Sequence, residues 1–407
     1  MKKIINYLRY RWLLAKWQRR AKKKRRANVM VGNLNDFFAE LAKCQISYVV
    51  LRWFDELPAD RSAEKSFQGD IDLLVESAQL EDFCRIVAAF PGHIKIDLYS
   101  NGIRLGTDCK RIAYFPPVLG SEILHDRCRH DGRFYRPAPR PYLYSLLYHC
   151  CYQKGLLCGL PTGTALDNPE TYSHDLKREL TLTAAACAET LPQPLTLLAI
   201  HQWLQQRQWA MPYDLIPRWP ARNAWHDELL KRETAELNKA LAGLKDLLVF
   251  LIREDAVSTG ADQPIVQALA KKFTVLDVVQ LDQQQQQRVM RQTRGGDWTK
   301  HKDVVIVAPV IAVVCHDPSP QPVDNSSGLG SIHHFVGNAN VFYKHAIRKD
   351  LERRFPDAIN FMHGSDNDPE SMAYIKAIYG PQWPERIASW KQLPPDAPGQ
   401  ATSNSPL

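Results

Sequence analysis

No apolar run in the chain approaches the roughly 18 residues that a membrane-crossing helix needs, and no secretory signal with a cleavage site is visible. Cysteine supplies no framework either. The nine cysteines are odd in number and scattered, with no C-x-x-C pair, and the adjacent Cys150 and Cys151 are poorly placed for an ordinary disulfide. The expectation is a reducing, cytoplasmic setting without structural zinc. Low-complexity sequence is confined to Gln283–Gln287, and 407 residues are enough for two or three domains with their own cores.

Acid is missing from residues 1–27, which hold twelve Lys and Arg. The rest of the chain carries 40 basic against 44 acidic residues, so the net +8 belongs to this arm and says nothing about the body. Ile4, Ile5, Tyr7, Leu8, Trp12, Leu13 and Trp17 are interleaved with the charges. That mixture suits a helix lying on an anionic membrane surface, peripheral to its inner face. Nucleic acid is the less favoured partner, because a purely electrostatic tail needs neither two tryptophans nor a leucine pair. A solvated tail is the plain alternative.

From residue 31 to about 120 a mixed α/β domain is expected. Asn35 reads as a helix cap, residues 46–52 (ISYVVLR) as a buried strand, and residues 58–67 as a polar loop. Residues 79–90 read as an amphipathic helix. The central stretch is Gly69-Asp70-Ile71-Asp72-Leu73-Leu74-Val75. Alternation along a strand puts Asp70 and Asp72 on one face and Ile71 and Leu73 on the other. Residues 94–99 (IKIDLY) alternate as well, so Asp97 shares a face with Lys95 and Tyr99. Three convergent carboxylates hold hard cations such as Mg²⁺ or Mn²⁺ for displacement at phosphorus. The plain alternative is a strand end with solvated aspartates. A mainly helical segment, 121–245, follows, and its His149 and His201 read as packed or surface histidines.

The D-x-D strand and the third acid on a later strand resemble the nucleotidyltransferase superfamily over residues 33–110. The resemblance implies Asp70, Asp72 and Asp97 as metal ligands, with Asp97 as third ligand or base. It also implies a small-residue phosphate cradle at the end of the preceding strand, where this chain has Arg52-Trp53. Arg52 is the phosphate-binding candidate there.

Residues 246–384 read strand–helix–strand–strand–helix–strand, a ferredoxin-like order. FLIREDAVSTG, VVIVAPVIAVV and Asn360-Phe361-Met362-His363-Gly364-Ser365-Asp366 resemble a nucleoside diphosphate kinase domain. That family's N-x-x-H-G-S-D histidine receives a phosphoryl group from a nucleoside triphosphate and passes it to a diphosphate. The resemblance implies His363 as nucleophile, with Arg253, Asn340, Arg348, Asn360 and Ser365 serving nucleotide binding. A lysine of the family is Arg253 here, an arginine is His333, and a threonine is Ala339.

The expected fold class is therefore α/β plus α+β. A nucleotidyltransferase-like mixed sheet with a helical companion precedes a ferredoxin-like, kinase-like domain. Residues 1–30 form a basic arm and 385–407 a disordered tail. The function expected is nucleotide-dependent phosphotransfer with a triphosphate such as ATP as substrate. The alternative is a catalytically degenerate nucleotide-binding adaptor at a membrane, beside surface-polysaccharide enzymes. The acceptor is undetermined, and a homo-oligomer is compatible with the chain.

Overall fold

Residues 70–75 and 94–100 form the two central strands of the first of two main sheets. The computed structural model describes residues 2–23, 28–102, 104, 106–108, 112–166, 174–293, 307–324, 326, 328–332, 336–356 and 361–393. The chain separates into two compact units, both mixed α/β. One comprises residues up to 211 together with 215–229; the other comprises 212–214 and the described residues from 230 onward. The helical segment expected at 121–245 thus falls largely within the first unit.

In chain order the first unit contains α1 (Lys2–Lys22), β1 (Asn28–Val31), α2 (Leu34–Lys43), β2 (Tyr48–Val50), α3 (Arg61–Ser66), β3 (Asp70–Val75), α4 (Leu80–Ala89) and β4 (Ile94–Ser100). Then follow α5 (Pro117–His125), the hairpin β5 (Arg127–His130) and β6 (Phe134–Pro137), α6 (Pro139–Tyr148), α7 (Leu176–Ala186) and α8 (Leu197–Gln206). The division between units falls within α9 (Ala224–Ala240). The sheet has the order β1-β4-β3-β2; β3 and β4 run parallel, and the two outer strands are antiparallel to their neighbours. Ile71, Leu73, Ile96 and Leu98 are fully buried, with Phe37 and Phe38 of α2 and Phe83 of α4 also in the core.

Three local expectations change. Asn35 is not the cap of α2: the helix begins at Leu34, and Asn33 precedes it in a left-handed conformation without a side-chain cap. The carboxylate of Glu64 takes over, accepting from the amides of Asn33 and Leu34 at 2.8 and 2.6 Å. The loop expected at 58–67 contains α3, whose Asp60 cap accepts from the amides of Ser62 and Ala63. The basic arm is a helix seated on the unit, with Tyr10 and Trp17 buried, Arg85 of α4 over the Tyr10 ring at 5.2 Å, and α1 packed along α4.

The second unit continues with β7 (Leu247–Arg253), α10 (Glu254–Ser258), α11 (Asp262–Ala270), β8 (Thr274–Gln280), α12 (Gln283–Gln292) and β9 (Pro309–His316). It ends with α13 (Gly328–Ile332), α14 (Tyr343–Arg354), β10 (Met362–Gly364), α15 (Asp368–Tyr379) and α16 (Trp383–Trp390). The sheet order is β10-β7-β9-β8, antiparallel throughout. Along β7, Leu247, Val249 and Leu251 join one apolar layer with Met372, Ile375 and Ile378 of α15. Leu248, Phe250 and Ile252 join the opposite layer with Ile265 of α11 and Ile347 of α14. Burial on both faces explains why this strand is apolar at every position from Leu247 to Ile252 instead of alternating. The glutamine run forms the first turns of α12, closed by a capping box between Asp282 and Gln285. The tail expected from 385 is helical in part, since α16 reaches Trp390; residues 394–407 lie outside the described residues. Among the described residues no helix is long and apolar enough to cross a membrane.

Candidate functional sites

The parallel pairing of β3 with β4 sets Asp70 beside Lys95 and Asp72 beside Asp97. All four side chains therefore rise from one face of the sheet. The three carboxylates share that face, as the alternation implies, but cationic side chains of the protein lie among them. Lys95 Nζ is 3.0 Å from Asp70 Oδ2 and 3.0 Å from Asp97 Oδ1. Arg52 Nη2 lies 2.8 Å from Asp72 Oδ2, and the Tyr99 hydroxyl donates to Asp72 Oδ1 at 3.0 Å. Partial burial opposes the Lys95 charge, but its bonds to Asp70 and Asp97 outweigh that and hold its pKa above the ordinary value. Burial likewise opposes ionisation of Asp70, and Lys95 overcomes it, lowering that pKa.

Behind this pair a polar chain runs inward. Arg52 Nη2 donates to the Tyr114 hydroxyl at 2.7 Å, and the Tyr114 ring stacks on Tyr99 with centroids 3.7 Å apart. The Tyr114 hydroxyl is 3.1 Å from His149 Nδ1, which also lies 2.7 Å from Gln153 Oε1. Trp53, where the superfamily resemblance implies a small residue, adopts a left-handed conformation with φ 53° and stacks on His174 at 3.9 Å. His149 is a packed histidine as expected, and so is His201, which is 2.8 Å from the Tyr152 hydroxyl.

The donor set as arranged does not fit a two-metal centre. Two protein cations already neutralise much of the charge of the three acids, and among the described residues no group of three or more His, Cys, Asp or Glu is arranged to hold an ion. Lys95→Ala is expected to uncover a cation site: titration with Mn²⁺ should give saturable binding stronger than in the wild type. Equal binding by both proteins would show that Lys95 does not compete for the site.

His149 and His226 also make the first unit acid-sensitive. Burial, assisted by Arg52, holds His149 well below its ordinary pKa, and burial lowers His226 as well. Both rings fold neutral, so below about pH 6.5 the unfolded chain binds protons that the folded chain refuses. Their contribution is therefore intact above that pH and lost as pH falls, at up to about 1.4 kcal/mol per pH unit for each ring. Thermal melts of the full chain should drop between pH 7 and 5.5; a flat profile would contradict this.

In the second unit the best-defined site is built around β10. His363 pairs with Leu251 of β7, and its ring is half-buried. His363 Nε2 lies 2.8 Å from the Tyr374 hydroxyl, which donates to Glu370 Oε1 at 2.7 Å. A hydroxyl has one proton and a carboxylate only accepts, so Tyr374 must accept from Nε2–H. That assignment makes Nδ1 the lone-pair nitrogen of the neutral ring. Glu370 and Tyr374 are four apart on α15 and so share the face turned to β10. The second Glu370 oxygen accepts from the Asp366 amide at 2.7 Å.

Helix α14 brings two cations to the carbonyls on either side of His363. Arg348 Nη2 donates to Met362 O, and Lys344 Nζ lies 3.3 Å from Gly364 O. Lys344 also pairs with the buried carboxylate of Asp366 at 3.0 Å. The other expected residues take different places. Ser365 is buried and structural: its hydroxyl accepts from Val249 N and its amide donates to Val249 O, both at 2.9 Å. Asn340 donates to Asp317 Oδ2 at 2.8 Å, beside Asn338, which does the same at 2.7 Å. Arg253 is buried at the end of β7, where its amide donates to Phe361 O. Asn360 and His333 lie outside the described residues.

Set against protein-family models, curated proteins and solved structures, the chain matches none of them. Sequence reasoning missed Lys344, Glu370 and Tyr374. The signal for the last two was available in their spacing of four on a helix that follows the histidine. Lys344 left no such trace, because its importance depends on where α14 docks.

Proposed function

We propose that the chain is a nucleotide-dependent phosphotransfer protein whose chemistry lies at His363. The observation that carries this reading is the Glu370–Tyr374–His363 chain, which assigns the ring proton to Nε2 and a lone pair to Nδ1. In the proposed step, Nδ1 attacks the γ-phosphorus of a nucleoside triphosphate. The N–P bond forms as the bond from the γ-phosphorus to the bridging oxygen breaks, and the diphosphate leaves with that electron pair. The Nε2–H···Tyr374 bond then steadies the charge on the phosphorylated ring, and Arg348 supplies positive potential nearby. Transfer to an acceptor nucleophile reverses the same bond changes. Mg²⁺ belongs to this scheme as part of the nucleotide substrate.

Fold geometry supports the reading. The sheet order β10-β7-β9-β8, antiparallel throughout, fits a ferredoxin-like, kinase-like module, with α12 as an added helix between β8 and β9. In the first unit, acids on adjacent parallel strands beside an antiparallel β2 fit a nucleotidyltransferase-like sheet. Lys95 and Arg52 among its acids favour a binding or supporting role for that unit over metal-assisted transfer. They equally favour the second reading, a nucleotide-binding adaptor in which neither unit is catalytic. Labelling with γ-phosphate-labelled nucleoside triphosphates separates the two. Acid-labile label on the chain supports phosphotransfer, and nucleotide binding without label supports the adaptor.

A further inference from the structure

Helix α1 is apolar on two opposite sides, and only one of them is used. Tyr10 and Trp17, seven residues apart, are buried, the latter completely, in the seam with α4. At 3.6 residues per turn, Ile4, Leu8 and Trp12 fall on one line roughly 180° round the helix from them. These three are 64%, 61% and 56% exposed, with Ile5 and Tyr7 exposed beside them. A helix anchored through one face has no folding reason to carry a second apolar face in water.

The charges around that outer face indicate its occupant. Lys3, Arg9, Arg11, Arg19, Lys22 and Lys23 are exposed, and α1 contains no acid. Lys16 lies over the Trp12 ring at 5.0 Å, so cation and indole share one edge of the apolar line. A protein partner for an apolar line would ordinarily ask for few surrounding charges. A nucleic acid would ask for the charges without Ile4 and Leu8. An anionic bilayer asks for both: aliphatic residues that reach the acyl boundary, tryptophan at headgroup level, and basic residues facing phosphate.

We propose that the outer face of α1 docks on an anionic lipid bilayer, with Ile4, Leu8 and Trp12 entering the headgroup–acyl boundary. Because Trp17 roots the same helix in the protein, docking holds the first unit against the lipid surface instead of tethering it by a loose tail. Neither signal is sufficient alone, since a short apolar line gives only marginal, reversible binding and a basic segment is screened by salt.

The test is flotation of the full chain with vesicles of phosphatidylcholine containing phosphatidylglycerol, against phosphatidylcholine alone. Binding is expected only to the anionic vesicles, and it should weaken as salt rises. Leu8→Ser with Trp12→Ser should reduce it about tenfold or more, and Arg11→Gln with Arg19→Gln about fivefold per residue. All four positions are exposed, so melting temperatures should match the wild type. Equal flotation by the double-serine variant and the wild type would overturn the proposal. So would equal binding to neutral and anionic vesicles, or retention on nucleic acid with no vesicle binding.

Discussion

Incubated with γ-phosphate-labelled ATP, the full chain is expected to acquire acid-labile label on His363, and His363→Asn is expected to acquire none. Removing a covalent nucleophile typically costs on the order of a thousandfold or more in rate. Tyr374→Phe tests the tautomer argument separately. It keeps the ring volume but leaves Nε2–H without its acceptor, a loss of about 1–3 kcal/mol that should slow labelling roughly 5- to 150-fold. Tyr374 is completely buried, so its melting temperature must be checked alongside. Label that persists in His363→Asn would place the chemistry elsewhere. Undiminished labelling of Tyr374→Phe would mean that the hydroxyl does not set the ring's proton.

Asp72→Ala should weaken the fold itself. Arg52 is buried, and its guanidinium is bonded to Asp72 at 2.8 Å and to the Tyr114 hydroxyl at 2.7 Å. Truncating the carboxylate leaves a buried cation without its counter-charge, a change that costs about 3 kcal/mol. For a unit of this size that lowers the melting temperature by roughly 6–12 °C. Replacing both partners, Arg52→Met with Asp72→Leu, should recover most of the loss, because removing both charges also removes the cost of burying them. A wild-type melting curve for Asp72→Ala would show that the aspartate carries no structural weight. It would also revive the case for an acid kept available to a ligand.

The strands at the centres of both sheets were legible because their patterns obey simple geometry. Residues 70–73 and 94–99 alternate in type, and the unbroken apolar run of β7 indicates burial on both faces. The shared face of Asp70, Asp72 and Asp97 followed from that alternation. The cations among the acids did not. Lys95 lies on the same strand as Asp97, but its bridging role depends on the register of β3 against β4, and Arg52 comes from beyond another strand. In the same way, Glu64 caps α2 from about 30 residues away, which no local pattern signals. Helix α14 escaped notice as an element because Ile347 and Leu351 are nearly its whole apolar stripe. The arm was legible as an amphipathic helix; that Tyr10 and Trp17 bury themselves against its own protein was not.

The connector between β10 and α15 is engaged at every residue. Ser365 holds the backbone of β7, Asp366 meets Lys344 and Glu370, and Asn367 caps α15 through the Glu370 amide. At the next position the Asp368 carboxylate accepts from the Leu247 amide. The segment therefore acts as a ruler. A helix advances about 100° per residue, so one residue added between Asn367 and Glu370 would swing Glu370 and Tyr374 away from the imidazole while leaving composition almost unchanged. From His363 to Tyr374, the length of the segment constrains this protein as well as its chemical identity.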